Sequence, residues 1–370
     1  MIHIGIIGSK GIPNHYGGFE EFAEQLSIGL VEKGFRVSVY CPHHHTYKSE
    51  TFRNVQLIKC FDPEIYIGPA GQFLYDFNCI IDSRKRGFDV LYQLGYTSSG
   101  IWQWLFSRKS IVVTNMDGLE WQRKKYNTYV RSFLKLAEIL AVNKSSLLIA
   151  DSPIILDYLK KKFQKPAIYI PYGAKQVEKI PSNPILPFDL LPFRYYLIIA
   201  RIQADNHIED IIRGVNLSKT KHPLIIVGSI RDRFSKRLLK SYANDQIRFV
   251  GGIYDLEALN LLRRNALLYF HGHSAGGTNP SLLQAMAAGS RICSHDNEFN
   301  RSILGEDAEY FRNTTDIEKL INEKNEKETV WVNRITKNHL KISETFQWPG
   351  IIEQYASLFQ SLVSAEVNTM

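Results

Sequence analysis

The chain opens with an apolar run over residues 2–7 that alternates and then turns continuously hydrophobic, the pattern of a buried strand. Residues 8–18 (GSKGIPNHYGG) break it as a loop. From Phe19 the apolar spacing becomes helical, through Phe22, Ala23, Leu26 and Leu30. Gly34 ends that helix, and residues 35–40 form the next strand. The result is a strand–helix–strand unit with a glycine-bearing loop at the carboxyl end of its first strand, where ligands sit in doubly wound sheets. The glycines do not follow GxGxxG and no acidic residue closes the second strand, so the dinucleotide fingerprint is absent. Gly17 and Gly18 either bring backbone close to a phosphate or sugar or serve the geometry of a turn.

The same alternation continues. Strands are expected at 55–59, 89–93, 110–114, 147–150 and 167–170, with helices at 72–86, 128–142 and 154–163. Pro171, Pro181, Pro184, Pro187 and Pro192 then punctuate a weakly periodic stretch that reads as an interdomain linker. A second series starts at 195–200 and runs through strands at 224–227, 247–250, 267–270 and 291–294. Trp348-Pro349 breaks the chain before an amphipathic helix at 351–362. This pattern predicts an α/β protein of two successive doubly wound halves. The expected limits are an amino-terminal domain over 1–177, a linker over 178–192 and a carboxyl-terminal domain over 193–349. The helix of 350–370 is expected to pack back on the first domain.

Residues 269–289 (YFHGHSAGGTNPSLLQAMAAG) read as a short strand, a polar loop and a helix. Asn279 suits the N-cap and Pro280 the first helical position, and Gly289 suits the stop. Gly276 and Gly277 precede a helix mouth whose unbonded N–H groups can hold an anion, although an ordinary strand-to-helix turn has the same appearance.

Composition narrows the class. A length of 370 residues has room for two domains, and 44% hydrophobic with 22% charged residues fits a soluble globular protein. The first residues lack a charged n-region, so no signal peptide is expected, and no apolar run is long enough to cross a bilayer. Cys41, Cys60, Cys79 and Cys293 are scattered without CxxC spacing, which suits a reducing cytoplasm. The net charge of +8 favours anionic partners, namely nucleotides, nucleic acid or acidic headgroups. Dispersed basic residues and the lack of a known module argue against nucleic acid. His43, His44 and His45 lack the spaced pattern of a metal centre, so no metal or other cofactor is expected.

Four stretches together carry a resemblance: IIGSKGIPNHYGGFE (6–20), TNMDGLEWQRKKY (114–126), ARIQADNHIEDII (200–212) and HGHSAGGTNPSLLQAMAAG (271–289). Over nearly its whole length the chain resembles the GT-B glycosyltransferases of the retaining family 4 group. Its closest likeness there is to the bacterial rhamnosyltransferase branch with a distinctive amino-terminal domain. The resemblance implies two Rossmann-like domains facing an interdomain cleft, the first presenting an acceptor and the second holding a nucleotide-sugar. Arg201 matches the diphosphate-binding arginine, a role that a permanently charged fork suits. Gly277, Thr278, Asn279 and Ser281 surround the helix mouth with donors for phosphate oxygens. Gln284 stands where the family usually has a ribose-holding glutamate, and an amide can both accept and donate there.

This chain departs from the broad family at three positions. Asn206 replaces a lysine beside the diphosphate, exchanging a charge-assisted bond of roughly 1.5–3 kcal/mol for a neutral one nearer 1. Gly276 and Gln284 replace the two glutamates of an E-x7-E pair. The rhamnosyltransferase branch resembles this chain in its asparagine and in GGTNPS. Asp117 aligns with a loop position near the donor sugar, where a carboxylate binds a sugar hydroxyl, assists acceptor deprotonation or caps the following turn. Glu120 and Arg123 share that loop. His271 and His273 lie on one face of a strand end and either touch the donor or are structural.

The function implied is retaining transfer of a sugar, L-rhamnose from dTDP-β-L-rhamnose, to a lipid-linked saccharide in bacterial surface polysaccharide synthesis. The expected location is cytoplasmic, at the inner face of the plasma membrane. Basic residues Arg123, Lys124, Lys125, Arg131 and Lys135, interleaved with Trp121, Tyr126, Tyr129 and Phe133, form either a surface for anionic lipid or a solvated face. Two other classes fit the fold: a nucleotide-sugar epimerase, and a silent nucleotide-binding scaffold lacking the acidic pair.

Overall fold

The computed structural model describes residues 1–15, 17–123, 126–177, 185–274, 276–323 and 327–367. The chain divides into two compact units, the first comprising Met1–Gln122, Tyr126–Gly173 and Trp348–Met370, the second Arg123–Lys125 and Ala174–Gln347.

The first unit runs β1 (His3–Ile7), α1 (Gly18–Glu32), β2 (Arg36–Pro42), β3 (Thr51–Phe52), β4 (Val55–Cys60), α2 (Glu64–Ile67), α3 (Gly71–Ser83) and β5 (Val90–Leu94). It continues through β6 (Ile111–Asn115), α4 (Thr128–Lys144), β7 (Leu147–Ala150), α5 (Pro153–Phe163) and β8 (Ala167–Tyr169). Its sheet has the order β3-β4-β2-β1-β5-β6-β7-β8, parallel except where the two residues of β3 run back along β4. Strands β1, β5, β6 and β7 are buried at every position. That explains why they read as continuous apolar runs, since helices cover both faces of a parallel sheet. Each fully buried Ile, Val or Leu contributes about 1.5–3 kcal/mol.

The second unit runs β9 (Tyr196–Ile199), α6 (Ile208–Leu217), β10 (Leu224–Val227), α7 (Arg233–Tyr242), β11 (Ile247–Gly251), α8 (Leu256–Asn265), β12 (Leu268–His271) and α9 (Pro280–Ala287). Then follow β13 (Ile292–His295), α10 (Glu298–Leu304), β14 (Glu309–Phe311), α11 (Thr314–Glu323) and α12 (Glu328–Glu344). Its strands are all parallel, in the order β11-β10-β9-β12-β13-β14. Ile198, Ile211, Ile226, Phe270 and Phe311 lie in its core.

The last helix, α13 (Trp348–Val367), belongs to the first unit. Its Tyr355 hydroxyl shares a 2.7 Å hydrogen bond with Tyr92 of β5. Ile352 lies so close to α1 that a Cβ on Gly29 would stand 2.4 Å from it. The chain changes unit at Gly173, upstream of the expected linker. There the Ala174 N–H donates to Phe346 at 2.7 Å, tying this segment to the end of α12. Of the expected linker, residues 178–184 lie outside the described residues.

In each sheet the strand order reverses once, between β1 and β5 and between β9 and β12. Loops leaving the carboxyl ends of such neighbours part to opposite sides and leave a crevice, the usual ligand position in open α/β sheets.

Candidate active site

In the second unit the two loops at that reversal carry most of the residues singled out above. Arg201 follows β9, while His271 ends β12 and leads through His273, Gly276 and Gly277 into α9. A Cβ on Gly272 would fall 2.0 Å from the Asn206 carbonyl, so only glycine lets these loops approach so closely. Ser274 then donates to the Asp205 carbonyl from its N–H at 3.1 Å and from its hydroxyl at 2.9 Å.

Arg201 is exposed, and its guanidinium makes no hydrogen bond or ion pair among the described residues. The Asn206 amide donates to the Arg201 carbonyl at 2.6 Å. Asn206 therefore shapes the loop that carries the arginine with one of the two N–H bonds of its amide. At the mouth of α9 Asn279 is the N-cap and accepts from the Ser281 N–H at 2.9 Å, with Pro280 next and Gly289 beyond the last turn at φ 73°. The Ser281 hydroxyl donates to Ile199 at 3.2 Å and meets the Tyr269 hydroxyl at 3.0 Å. Ser281 thus braces α9 against β9 and β12, contrary to its expected role as a phosphate donor. Thr278 is buried beside it.

Gln284 differs most from expectation. Its Oε1 accepts from Nη2 of Arg263 at 2.7 Å, and Arg263 is 1% exposed. The oxygen expected to accept from a ribose hydroxyl thus already accepts one bond from a buried guanidinium.

The imidazoles of His271 and His273 stack at 4.6 Å with 17° between planes, so the shared face holds. His273 lines a small pocket with Gly276, Gly277, Asn279, Asn297 and Asn300, whereas His271 is 1% exposed and does not. Burial, aided by His295, pushes the His271 pKa down to about 3. His273 is depressed well below its ordinary value by burial, then by His271 and Arg201. Both rings are neutral at physiological pH, and the Arg201 charge is felt at His273. Asn297 and Asn300 each donate to the His273 carbonyl at 3.0 Å, holding the loop open above α10. These two asparagines, Arg263 and Asp205 are the residues that sequence reasoning missed. Both carboxylate oxygens of Asp205 are buried without a partner among the described residues. A lone Asp in a polar loop gives no sequence signal of burial.

In the first unit the loop after β1 sits at the corresponding reversal. Gly8 has φ 90°, and a Cβ there would stand 2.3 Å from the Leu94 carbonyl at the end of β5. Two of the loop's donors are already bonded to carboxylates, the Lys10 N–H to Glu20 and the Asn14 N–H to Glu24, both at 2.7 Å, while the Gly17 N–H donates to the Asn14 side chain at 3.3 Å. Lys10 pairs its ammonium with Asp62 and Glu64. Asp76 lies nearby, its pKa raised to about 6 by burial against the bonds from Ser98 and Gln72. Carboxylates thus stand where an anion would bind, and of the two ligands expected at Gly17 and Gly18, phosphate is disfavoured and a sugar is not. Gly17 is the N-cap of α1, with Gly18 as its first residue, and its backbone is extended, φ −174°, so no left-handed turn calls for glycine there.

Asp117 follows β6 at φ 47°, a left-handed conformation costing a non-glycine residue about 1–2 kcal/mol. Asn115 makes a local side-chain turn here, accepting from the Asp117 N–H at 2.8 Å. Behind this loop the wholly buried Glu138 of α4 accepts from Trp121 at 3.3 Å, Tyr158 at 2.9 Å and Lys162 at 2.6 Å. Trp121 and Phe133 are therefore packed inward, Phe133 against Phe73, and Tyr129 is the exposed aromatic of the basic run. Lys124 and Lys125 lie outside the described residues. Of the three adjacent histidines, His43 accepts from the Asp62 N–H at 3.0 Å and His45 from the Tyr47 N–H at 3.2 Å.

Residues 1–175 match a family model described as Domain of unknown function (DUF1972). The sequence is 23% identical to an uncharacterized glycosyltransferase of Methanocaldococcus jannaschii over 95% of this chain and 96% of the relative. Sucrose-phosphate synthase from Thermosynechococcus elongatus superposes with a TM-score of 0.78 at 17% identity, covering 99% of this chain and 100% of its own. HepE of Anabaena, solved with UDP, gives 0.71 at 12% identity over 98% of this chain and 100% of its own. The chain therefore has the fold of the GT-B glycosyltransferases, and along nearly its whole length it is similar in sequence to a protein of that name.

Proposed function

We propose that the chain is a retaining hexosyltransferase that moves L-rhamnose from dTDP-β-L-rhamnose to a lipid-linked saccharide, in bacterial surface polysaccharide synthesis at the cytoplasmic face of the membrane. The observation that carries sugar transfer is the pairing of an exposed Arg201, unpartnered among the described residues, with the mouth of α9 at the β9/β12 reversal. A fixed cation and oriented N–H groups stabilise charge as it develops on a departing diphosphate. A nucleotide-sugar donor is supported by HepE, whose solved complexes contain UDP, UDP with glucose, and UDP-glucose. Rhamnose rests on the resemblance at Asn206 and GGTNPS.

The bond from the anomeric carbon to the β-phosphate oxygen breaks, and its electron pair leaves with the nucleoside diphosphate. The acceptor hydroxyl then bonds to the anomeric carbon from the same face, and its proton passes to the departing phosphate oxygen or to a carboxylate, for which Asp117 is the candidate. Among the described residues no helix is long and apolar enough to cross a membrane. Exposed Ile65, Tyr66, Ile67, Leu74, Trp104 and Tyr129 on the first unit suit peripheral contact with a lipid-borne acceptor.

The test is a panel of labelled nucleotide-sugars with purified membranes, scoring lipid-linked product. Product from dTDP-rhamnose is expected, and Arg201→Gln should lower turnover about 10–100-fold without changing thermal stability. Product from UDP-hexoses alone would remove the rhamnose reading. An epimer formed from donor alone would replace transfer by isomerisation, and full turnover by the variant would remove Arg201 from the reaction.

A further inference from the structure

We infer that Cys60 and Cys79 form a dithiol that hydrogen peroxide oxidises to an intramolecular disulfide, a modification site joining the end of β4 to α3 in the first unit.

All four cysteines are buried free thiols. Strand alternation separates them by face. Cys60 ends β4 on the same side as Ile58, within a core cluster that also holds Tyr75, Cys79 and Ile80 of α3. Cys41 is in register with Lys59, on the opposite face, and its thiol meets the Ile12 carbonyl at 3.9 Å. Cys293 lies in the core of the second unit. Of the four, Cys60 and Cys79 alone share one patch of core.

Two hydrogen bonds fix α3 over the end of the strand. The Asn78 side chain donates to the Phe61 carbonyl at 2.9 Å, joining the residues next to each cysteine. One helical turn on, Asp82 accepts from the Tyr40 hydroxyl of β2 at 2.8 Å. The thiols held between these bonds are within hydrogen-bond reach, Cys79 donating to Cys60. That bond lowers the Cys60 pKa against the opposing effect of burial, while burial pushes Cys79 up. Cys60 is 8% exposed and Cys79 1%, so a small solute reaches Cys60 first. Cys60 is therefore the attacking sulfur and Cys79 the resolving one.

The Cys60 thiolate bonds to one peroxide oxygen, the O–O bond breaks, and hydroxide leaves and takes up a proton as water. The sulfenic acid on Cys60 is then attacked by the Cys79 sulfur. The S–O bond breaks, and its hydroxyl departs with the Cys79 proton as a second water. Two thiols thus lose two electrons to one peroxide. The bridged segment contains Asp62, which pairs with Lys10, so the cross-link bears on the loop at the β1/β5 reversal.

The experiment exposes the native full chain to hydrogen peroxide, under conditions that fully oxidise free cysteine, then denatures it and alkylates the remaining thiols. Cys41 and Cys293 should be alkylated, Cys60 and Cys79 only after a reductant is added, and tryptic peptides carrying the latter two should be linked. Cys79→Ser should leave Cys60 as a sulfenic acid that takes up dimedone, and Cys41→Ser should leave the bridge intact. Alkylation of every cysteine after exposure, a link through Cys41, or a bridge that forms only when the chain is unfolded beforehand overturns the inference. The wild-type peptide map decides by itself should a variant not fold.

Discussion

Replacing His271 with phenylalanine removes an imidazole that is buried in β12 with neither ring nitrogen bonded among the described residues. Its pKa is pushed from 6.5 to about 3 by burial and by the neighbouring His295. The ring stays neutral in the folded protein and takes up a proton readily only when the chain unfolds. Between these two values the unfolded state binds more protons, so stability is lost as pH falls below 6.5 and is fully present above it. The linkage relation then gives a loss of about 2 kcal/mol between pH ~7.5 and pH ~5 from this one residue. His271→Phe removes that dependence, and because the imidazole forfeits no hydrogen bond, the change at pH ~7.5 should stay below about 1.5 kcal/mol. Urea unfolding of both proteins across this range measures the difference at each pH. Acidic groups distant from His271 cancel in that comparison. Curves that run parallel within about 0.5 kcal/mol would refute the claim that His271 is held neutral by burial.

Glu138→Gln exchanges a buried carboxylate that accepts from Trp121, Tyr158 and Lys162 for an amide, and should cost about 1–3 kcal/mol in urea unfolding. Hydrogen exchange over residues 117–122 should rise with it, since Trp121 anchors that loop; unchanged exchange would separate Glu138 from the positioning of Asp117. Asn279→Ala deletes the cap of α9 and should cost about 1 kcal/mol, read as a lowered Tm, whereas Asn279→Asp, which can accept the same N–H, should restore it.

Parallel strands were legible because burial on both faces writes itself as a local apolar run; the expected 147–150 and 224–227 coincide with β7 and β10. The cap, proline and terminal glycine of α9 were legible because each acts within one helical turn. The three residues of β14 were not, being too short to show a period. Buried charged side chains left the least local mark. Arg263 sits in a helix whose pattern reads as amphipathic, where an arginine belongs on the wet side, yet its partners Asn260, Tyr269 and Gln284 surround it. Glu20 and Glu24, one helical turn apart on α1, point together into the glycine loop and bond its N–H groups, a contact that the helical period alone does not mark.

By itself the sequence determined the succession of strands and helices, the two doubly wound halves and the loops that leave their strands, because these follow from dihedral preference and apolar period over a few residues. Tertiary structure decided which strands are neighbours. Only the pairing of β9 with β12 brings the Arg201 loop beside His273 and α9. It also decided which polar atoms remain available to a ligand. The Gln284 oxygen and the Ser281 hydroxyl bond partners far away in sequence, and among the described residues the side chain of Arg201 does not. Such commitments depend on chain segments closing over one another, and no local pattern records them.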